Sequence, residues 1–96
     1  MALRFEWDVH KARANIRKHR VSFDEAATVF RDALARIFDD EDHSMEESRE
    51  IIIGHSAAGR LLLVSFTEKA DNTARIISAR VTTTRERSNH ERKGND

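Results

Sequence analysis

The spacing of apolar residues changes character in the middle of this chain, and that change limits the folds open to it. From residue 9 to residue 30 the apolar side chains recur at helical intervals, as in Val9, Ala12 and Ile16. From residue 51 they run unbroken, first Ile51-Ile52-Ile53 and then Leu61-Leu62-Leu63-Val64-Ser65-Phe66. Two such runs parted by Ser56-Ala57-Ala58-Gly59 predict a strand hairpin. Because both of its faces are apolar, the hairpin belongs centrally in a sheet, covered at least partly on both sides. Ala70-Asp71-Asn72 turns the chain again, and residues 74–79 predict a further strand. At the other end Leu3-Arg4-Phe5-Glu6-Trp7 alternates with period two, an opening strand in which Trp7 is a core residue rather than a base-stacking platform.

The segments between are punctuated by caps. Asp8 is placed to cap a helix running to about Arg20. Val9, Ala12 and Ile16 should face its core side, with Arg13, Arg17 and Arg20 on a second face and Lys11, Asn15 and Lys18 on a third. Ser22-Phe23-Asp24-Glu25 has the form of a capping box, Ser22 accepting from the Glu25 amide while the Glu25 side chain reaches back. The helix it opens should extend to about Phe30 and bury Ala26, Val29 and Phe30, followed by a short strand over residues 35–39. A second box, Thr83-Thr84-Arg85-Glu86, opens a C-terminal helix through His90-Glu91-Arg92 that frays at Gly94, leaving residues 93–96 as a tail. Helices, then a meander of strands, then a last helix define an α+β fold: an antiparallel sheet of four to five strands packed with two N-terminal helices and a C-terminal one.

With 96 residues, 39% of them hydrophobic, the expectation is one domain over residues 1–96 with a single modest core. No cysteine is present, which excludes disulfides, thiolate metal sites and a cysteine nucleophile. No stretch approaches the ~20 apolar residues of a membrane span, and the opening MALRFEWDVHKAR lacks the apolar segment of a signal peptide. The expected location is the cytoplasm. The formal net charge of zero conceals zoning: +4 over residues 1–20, −7 over 21–50 and +3 over 51–96. A basic patch arises only if the two ends of the chain meet.

The acidic stretch 39–50 has part of the spacing of a calcium loop, with Asp39, Glu41 and Glu50 at positions one, three and twelve. Ser44 stands where that loop needs glycine, and His43 where it needs an oxygen, so a solvated loop or a docking surface for a basic partner is the better reading. The five histidines, at 10, 19, 43, 55 and 90, show no compact zinc spacing, and no nucleophile elbow, phosphate loop or dinucleotide fingerprint occurs. The strongest polar constellation is Arg75, Ser78, Arg80, Arg85, Glu86, Arg87 and His90. Glu86 and His90 are four apart on one helix face, where a carboxylate can orient an imidazole or raise its pKa for acid–base work. The plain alternative is an exposed helix laced with charge pairs.

Phe5-Glu6-Trp7-Asp8, Lys11, Lys18-His19-x-Val21-Ser22-Phe23-Asp24-Glu25-Ala26, Phe30-Arg31-Asp32, an acidic linker, Glu47-Ser48-Arg49, and finally Arg75-Ile76-Ile77-Ser78-Ala79-Arg80 with Thr83-x-x-Glu86-Arg87 follow one another in order. Together they resemble the BrnT toxins over roughly residues 4–92. The resemblance implies a RelE-like α+β fold and a ribonuclease that halts translation within a type II toxin–antitoxin pair. It also implies a BrnA-like antitoxin with a ribbon-helix-helix part, operator DNA being bound only through the toxin–antitoxin complex. His90 and Val81 depart from it, standing near positions where the family often carries a tyrosine and a lysine. An imidazole can take over a tyrosine's catalytic or stacking role, whereas loss of the lysine weakens phosphate contacts.

Cleavage of RNA without metal or cofactor needs a base for the 2′-OH, donors for the phosphorane and an acid for the leaving 5′-oxygen. Arg80 and Arg75 are the expected phosphate stabilisers, and His90 and Glu86 the expected acid–base groups. Lys11, Arg13, Arg17, Lys18, His19, Arg85 and Arg87 are the expected RNA-binding surface, with His19 and Lys11 also possible helpers at the site. The rival expectation is an interaction module that docks antitoxin or RNA without cutting. A DNA binder fits less well, because the chain is neutral and shows no helix-turn-helix pattern.

Overall fold

A computed structural model describes residues 3–40 and 48–94, with side chains to residue 92. Along the chain run β1 (Arg4–Glu6), α1 (Val9–His19), α2 (Phe23–Thr28), a 3-10 turn (Val29–Arg31), β2 (Arg36–Asp39), β3 (Arg49–His55), β4 (Leu61–Lys69), β5 (Thr73–Val81) and α3 (Thr84–Gly94). The strands form one five-stranded sheet in the order β1-β5-β4-β3-β2. β4, from the second unbroken apolar run, is its middle strand, with β3 and β5 beside it. Most of the acidic stretch and the end of the tail lie outside the described residues, so the calcium-loop reading meets no structure beyond its ends, where Asp39 and Glu50 face each other across β2 and β3.

The α+β fold read from the sequence is the one observed, with one difference in the sheet. Three strand pairs are antiparallel, but β1 lies parallel to β5. A three-residue strand at the start of the chain carries no local signal for its partner; the Arg4 amide finds the Asn72 carbonyl at 2.7 Å, at the far end of the sequence.

One sheet face packs under α1 and α2. Val21, Phe23, Ala26 and Val29 meet Ile52, Leu62, Val64, Phe66, Ala74, Ile76 and Ala79. Phe30 bridges Phe5 and Phe66, its ring 5.1 and 4.9 Å from theirs, and Trp7 packs edge-on against Phe23 at 5.9 Å. Trp7 is thus part of the core, as its alternation with Phe5 indicates.

Of the expected inward face of α1, Ala12 packs against the core but Val9 and Ile16 do not. Val9 and Ile16 are 56% and 46% exposed, while Asn15 is buried at 6%. The reason lies in β5. β1 covers the outer edge of β5 only from Thr73 to Arg75, and beyond that the edge needs other hydrogen-bond partners. The Asn15 amide supplies them: Nδ2 donates to the Ala79 carbonyl (2.8 Å) and the Val21 carbonyl (2.9 Å), and Oδ1 accepts from the Ala79 amide (3.1 Å).

The caps are observed, with changes. Asp8 accepts from the His10 and Lys11 amides and starts α1. Ser22 accepts from the Glu25 amide, but the Glu25 carboxylate does not reach back. It binds Arg60 through Nε at 2.9 Å and the Ser56 hydroxyl at 2.7 Å, fastening the β3–β4 turn to α2. The helix itself stops at Thr28 and tightens into the 3-10 turn, short of the expected end at Phe30. The second box is complete: Thr83 Oγ1 accepts from the Glu86 amide (3.2 Å) and the Glu86 carboxylate accepts from the Thr83 amide (2.8 Å).

Candidate active site

The other sheet face carries the candidate chemistry. Cross-strand register sets Arg36, Ile53, Leu63 and Arg80 in one row across β2, β3, β4 and β5, and Arg49, Thr67 and Arg75 in another. Arg75 and Arg80 are an odd number of residues apart and would point to opposite faces of a regular strand. The irregularity opposite Ser65 and Phe66 restores them to one face.

α3 lies over the Arg36–Arg80 row. Arg80 donates from both terminal nitrogens to the two Glu86 oxygens, at 2.8 and 2.9 Å. One turn further along, His90 is turned inward and only 8% exposed. Together with Arg36, Phe38, Ile53, Glu86 and Asn89 it lines a cleft of about 160 Å³. Beyond His90 stands His55, at the end of β3, its ring centroid 6.2 Å away and tilted edge-on. His55 in turn lines a second, shallower depression with Thr28, Arg31, Asp32, Ser56 and Ala57. The two imidazoles therefore meet where the two hollows adjoin.

Asp32 holds His55 from behind. Its Oδ2 accepts from the His55 amide at 2.7 Å and lies 3.4 Å from Nδ1 of the same residue, while Oδ1 accepts from the Leu34 amide at 3.0 Å. Gly54 makes this approach possible, because a Cβ there would stand 2.8 Å from Ala35 Cβ and 3.1 Å from Asp32 Oδ2. Thr28 Oγ1 accepts from the Ala57 amide at 2.8 Å, tying the end of the hairpin to the same corner.

The electrostatics divide these groups. Burial pushes His90 below the usual imidazole range, and the charges of His55 and Arg36 add to it against weaker pulls from Asp32 and Glu91. Burial alone would raise Asp32, but the amides of His55 and Leu34 outweigh it and hold the carboxyl low. Arg80 is the main cause that brings Glu86 down to about 2. Among the described residues no three His, Asp or Glu side chains converge as a cation site.

Several expectations for individual residues change. Glu86 neither orients His90 nor is available for proton transfer near neutral pH, because Arg80 and the Thr83 amide hold it ionised. Arg75 lies five residues from Arg80, roughly 15 Å along the strand, and pairs with Glu6 at 2.8 Å, so the two arginines do not grip one phosphate. Lys11, Arg13, Arg17, Lys18 and His19 are on α1, which packs on the opposite sheet face, and none lines either hollow. Arg85 and Arg87 are exposed on α3, Arg87 lying 3.6 Å from Glu91. Sequence reasoning missed Asp32, His55 and Arg36. Asp32 stood in the quoted Phe30-Arg31-Asp32 string, which was a signal; His55 and Arg36 carried none.

The fold is a small α+β domain with a cleft lined by Arg36 and His90 on one sheet face, and His55 beside it. The family model of the ribonuclease toxin BrnT of type II toxin–antitoxin systems matches residues 7–86, and the chain belongs to that family. The match includes Asp32, Arg36, His55, Arg75, Arg80 and Glu86 and stops short of His90. Among solved structures, the 1.1 Å crystal structure of the Brucella abortus ribonuclease toxin, BrnT, is similar at a TM-score of 0.67 and 21% identity, over 86% of this chain and 100% of that one. Among curated proteins none matches.

Proposed function

We propose that this chain is a single toxin domain that cuts RNA without a metal ion, inhibits translation, and is restrained by a BrnA-like ribbon-helix-helix antitoxin through which alone it reaches operator DNA. The observation that carries the reading is the cleft in which His90, its pKa lowered by burial, stands beside Arg36 and one helical turn from Glu86, which grips Arg80. A neutral imidazole can accept the 2′-OH proton, and guanidinium groups can take the charge that grows on the phosphorane. Arg80 joins the second task when a phosphate oxygen displaces Glu86 or shares the guanidinium with it. A need for the 2′-OH makes the enzyme indifferent to DNA.

One observation favours the rival, a binding module that docks antitoxin or RNA and contributes to operon repression. Both terminal nitrogens of Arg80 are already engaged by Glu86. The deciding experiment incubates the protein with a single-stranded RNA of about 30 nucleotides, roughly twice the largest single-strand site size, in excess chelator. Products ending in 2′,3′-cyclic phosphate are expected. Products ending in 3′-hydroxyl would reject this mechanism, and no cleavage together with harmless expression in cells lacking antitoxin would reject the enzyme.

A further inference from the structure

We propose that His55, positioned by Asp32, is the general acid of this site, donating the proton that the departing 5′-oxygen requires. The inference rests on the ribonuclease reading and extends it to two residues outside the arginine-rich C-terminal constellation.

An in-line transesterification sets the chemical requirements. The 2′-oxygen bonds to phosphorus as the P–O5′ bond breaks; one proton leaves the 2′-oxygen, and another arrives at O5′. A base and an acid must therefore flank one phosphate, one neutral and one protonated at the start. The two imidazoles stand 6.2 Å apart, centroid to centroid, and His90 lines the cleft. They are not equivalent. His90 is enclosed, with Arg36 from β2 nearby, surroundings that disfavour a cation. His55 is 42% exposed in its side chain and has an ionised carboxylate 3.4 Å from Nδ1. A carboxylate there orients the ring and aims Nε2 away from Asp32.

The charges facing His55 are Asp32 from the segment after the 3-10 turn and His90 on α3, with Arg36 of β2 and Glu91 of α3 acting on the same pair through His90. A proton on one imidazole disfavours a proton on the other. The donor's role is assigned to the member beside the carboxylate and the acceptor's role to the enclosed one. Turnover moves a proton from the 2′-oxygen to His90 and one from His55 to O5′, leaving a 2′,3′-cyclic phosphate and a 5′-hydroxyl. Arg36 at one end and Arg31 at the other provide cations for the flanking phosphates.

A sulfur leaving group separates the roles, because a thiolate departs without being protonated. The probe is the RNA of about 30 nucleotides, alongside a copy with a 5′-bridging sulfur at the position the wild type cuts. His55→Gln should lose ~10²-fold or more on the oxygen substrate and return to within a few-fold of wild type on the sulfur substrate. Asp32→Asn should show the same pattern more weakly, and His90→Gln should stay slow on both. Rescue on sulfur also shows that the variant is folded; melts followed by circular dichroism check any variant that is slow on both. Folded His55→Gln that cuts the oxygen substrate like wild type, or stays slow on sulfur, overturns the assignment while leaving the ribonuclease reading intact. Wild-type protein that cuts neither RNA overturns both.

Discussion

Asn15 shows how one side chain can stand in for a strand. Its amide both donates to and accepts from Ala79, the two bonds that a sixth strand would otherwise provide, and also holds the Val21 carbonyl at the turn out of α1. Ala79 precedes Arg80, so the bond also sets the strand from which the site's arginine projects. Replacing Asn15 with Ala leaves three buried backbone groups without partners, at a cost of about 3 kcal/mol. The expected result is a melting temperature lower by roughly 10–20 °C. A shift of only one or two degrees would show that water replaces the amide and that β5 holds its edge unaided. Nothing in the sequence around Asn15 announced this. It sits among Lys11 and Lys18 on what looks like a solvent face, and its partner is 64 residues away.

At the scale of elements, local features were legible and distant ones were not. Both serine/threonine caps, the central hairpin and the final helix depend on neighbours within about four residues. The diversion of Glu25 to Arg60 and the approach of Asp32 to His55 join residues 35 and 23 apart, which no spacing rule describes. α3 is the element whose behaviour follows most directly from what holds it. Apart from inward-facing His90, it is fastened by the Arg80–Glu86 pair and by its capping box. Glu86 falls from 4.5 to about 2 on folding, so its contribution is complete above pH 4.5 and disappears as pH falls toward 2. His90 is lowered from 6.5, so the unfolded chain binds its proton more readily and stability declines as pH drops below 6.5. Acid therefore loosens α3 in two stages, His90 first and Glu86 second. Glu86→Gln should be less stable than wild type at pH 7, with the gap closing toward pH 2. Denaturant melts across this range test it, and a gap independent of pH would refute the pairing.

The whole molecule separates its charges by the sheet. Arg36, Arg80 and the two histidines share one face, whereas Lys11, Arg13, Arg17 and Lys18 lie on a helix that covers the other. The expected basic surface is thus two surfaces, and the sequence could not distinguish them because charge zoning says nothing about which side of a sheet a helix takes. A short RNA can engage only one of them. On an oligonucleotide of about 10 nucleotides, inside the ~4–16 nucleotide range of single-strand sites, the α1 stripe should be irrelevant to binding at the cleft. Arg13→Gln with Arg17→Gln should leave affinity and its salt dependence within twofold of wild type. Arg36→Gln should weaken binding and reduce the salt slope by nearly one charge, about 0.7 for a single strand. Fluorescence anisotropy with labelled oligonucleotide at several salt concentrations reads both. If the α1 pair proves the more damaging, RNA approaches from the helical side, and the cleft lined by Arg36 and His90 cannot be where it is held.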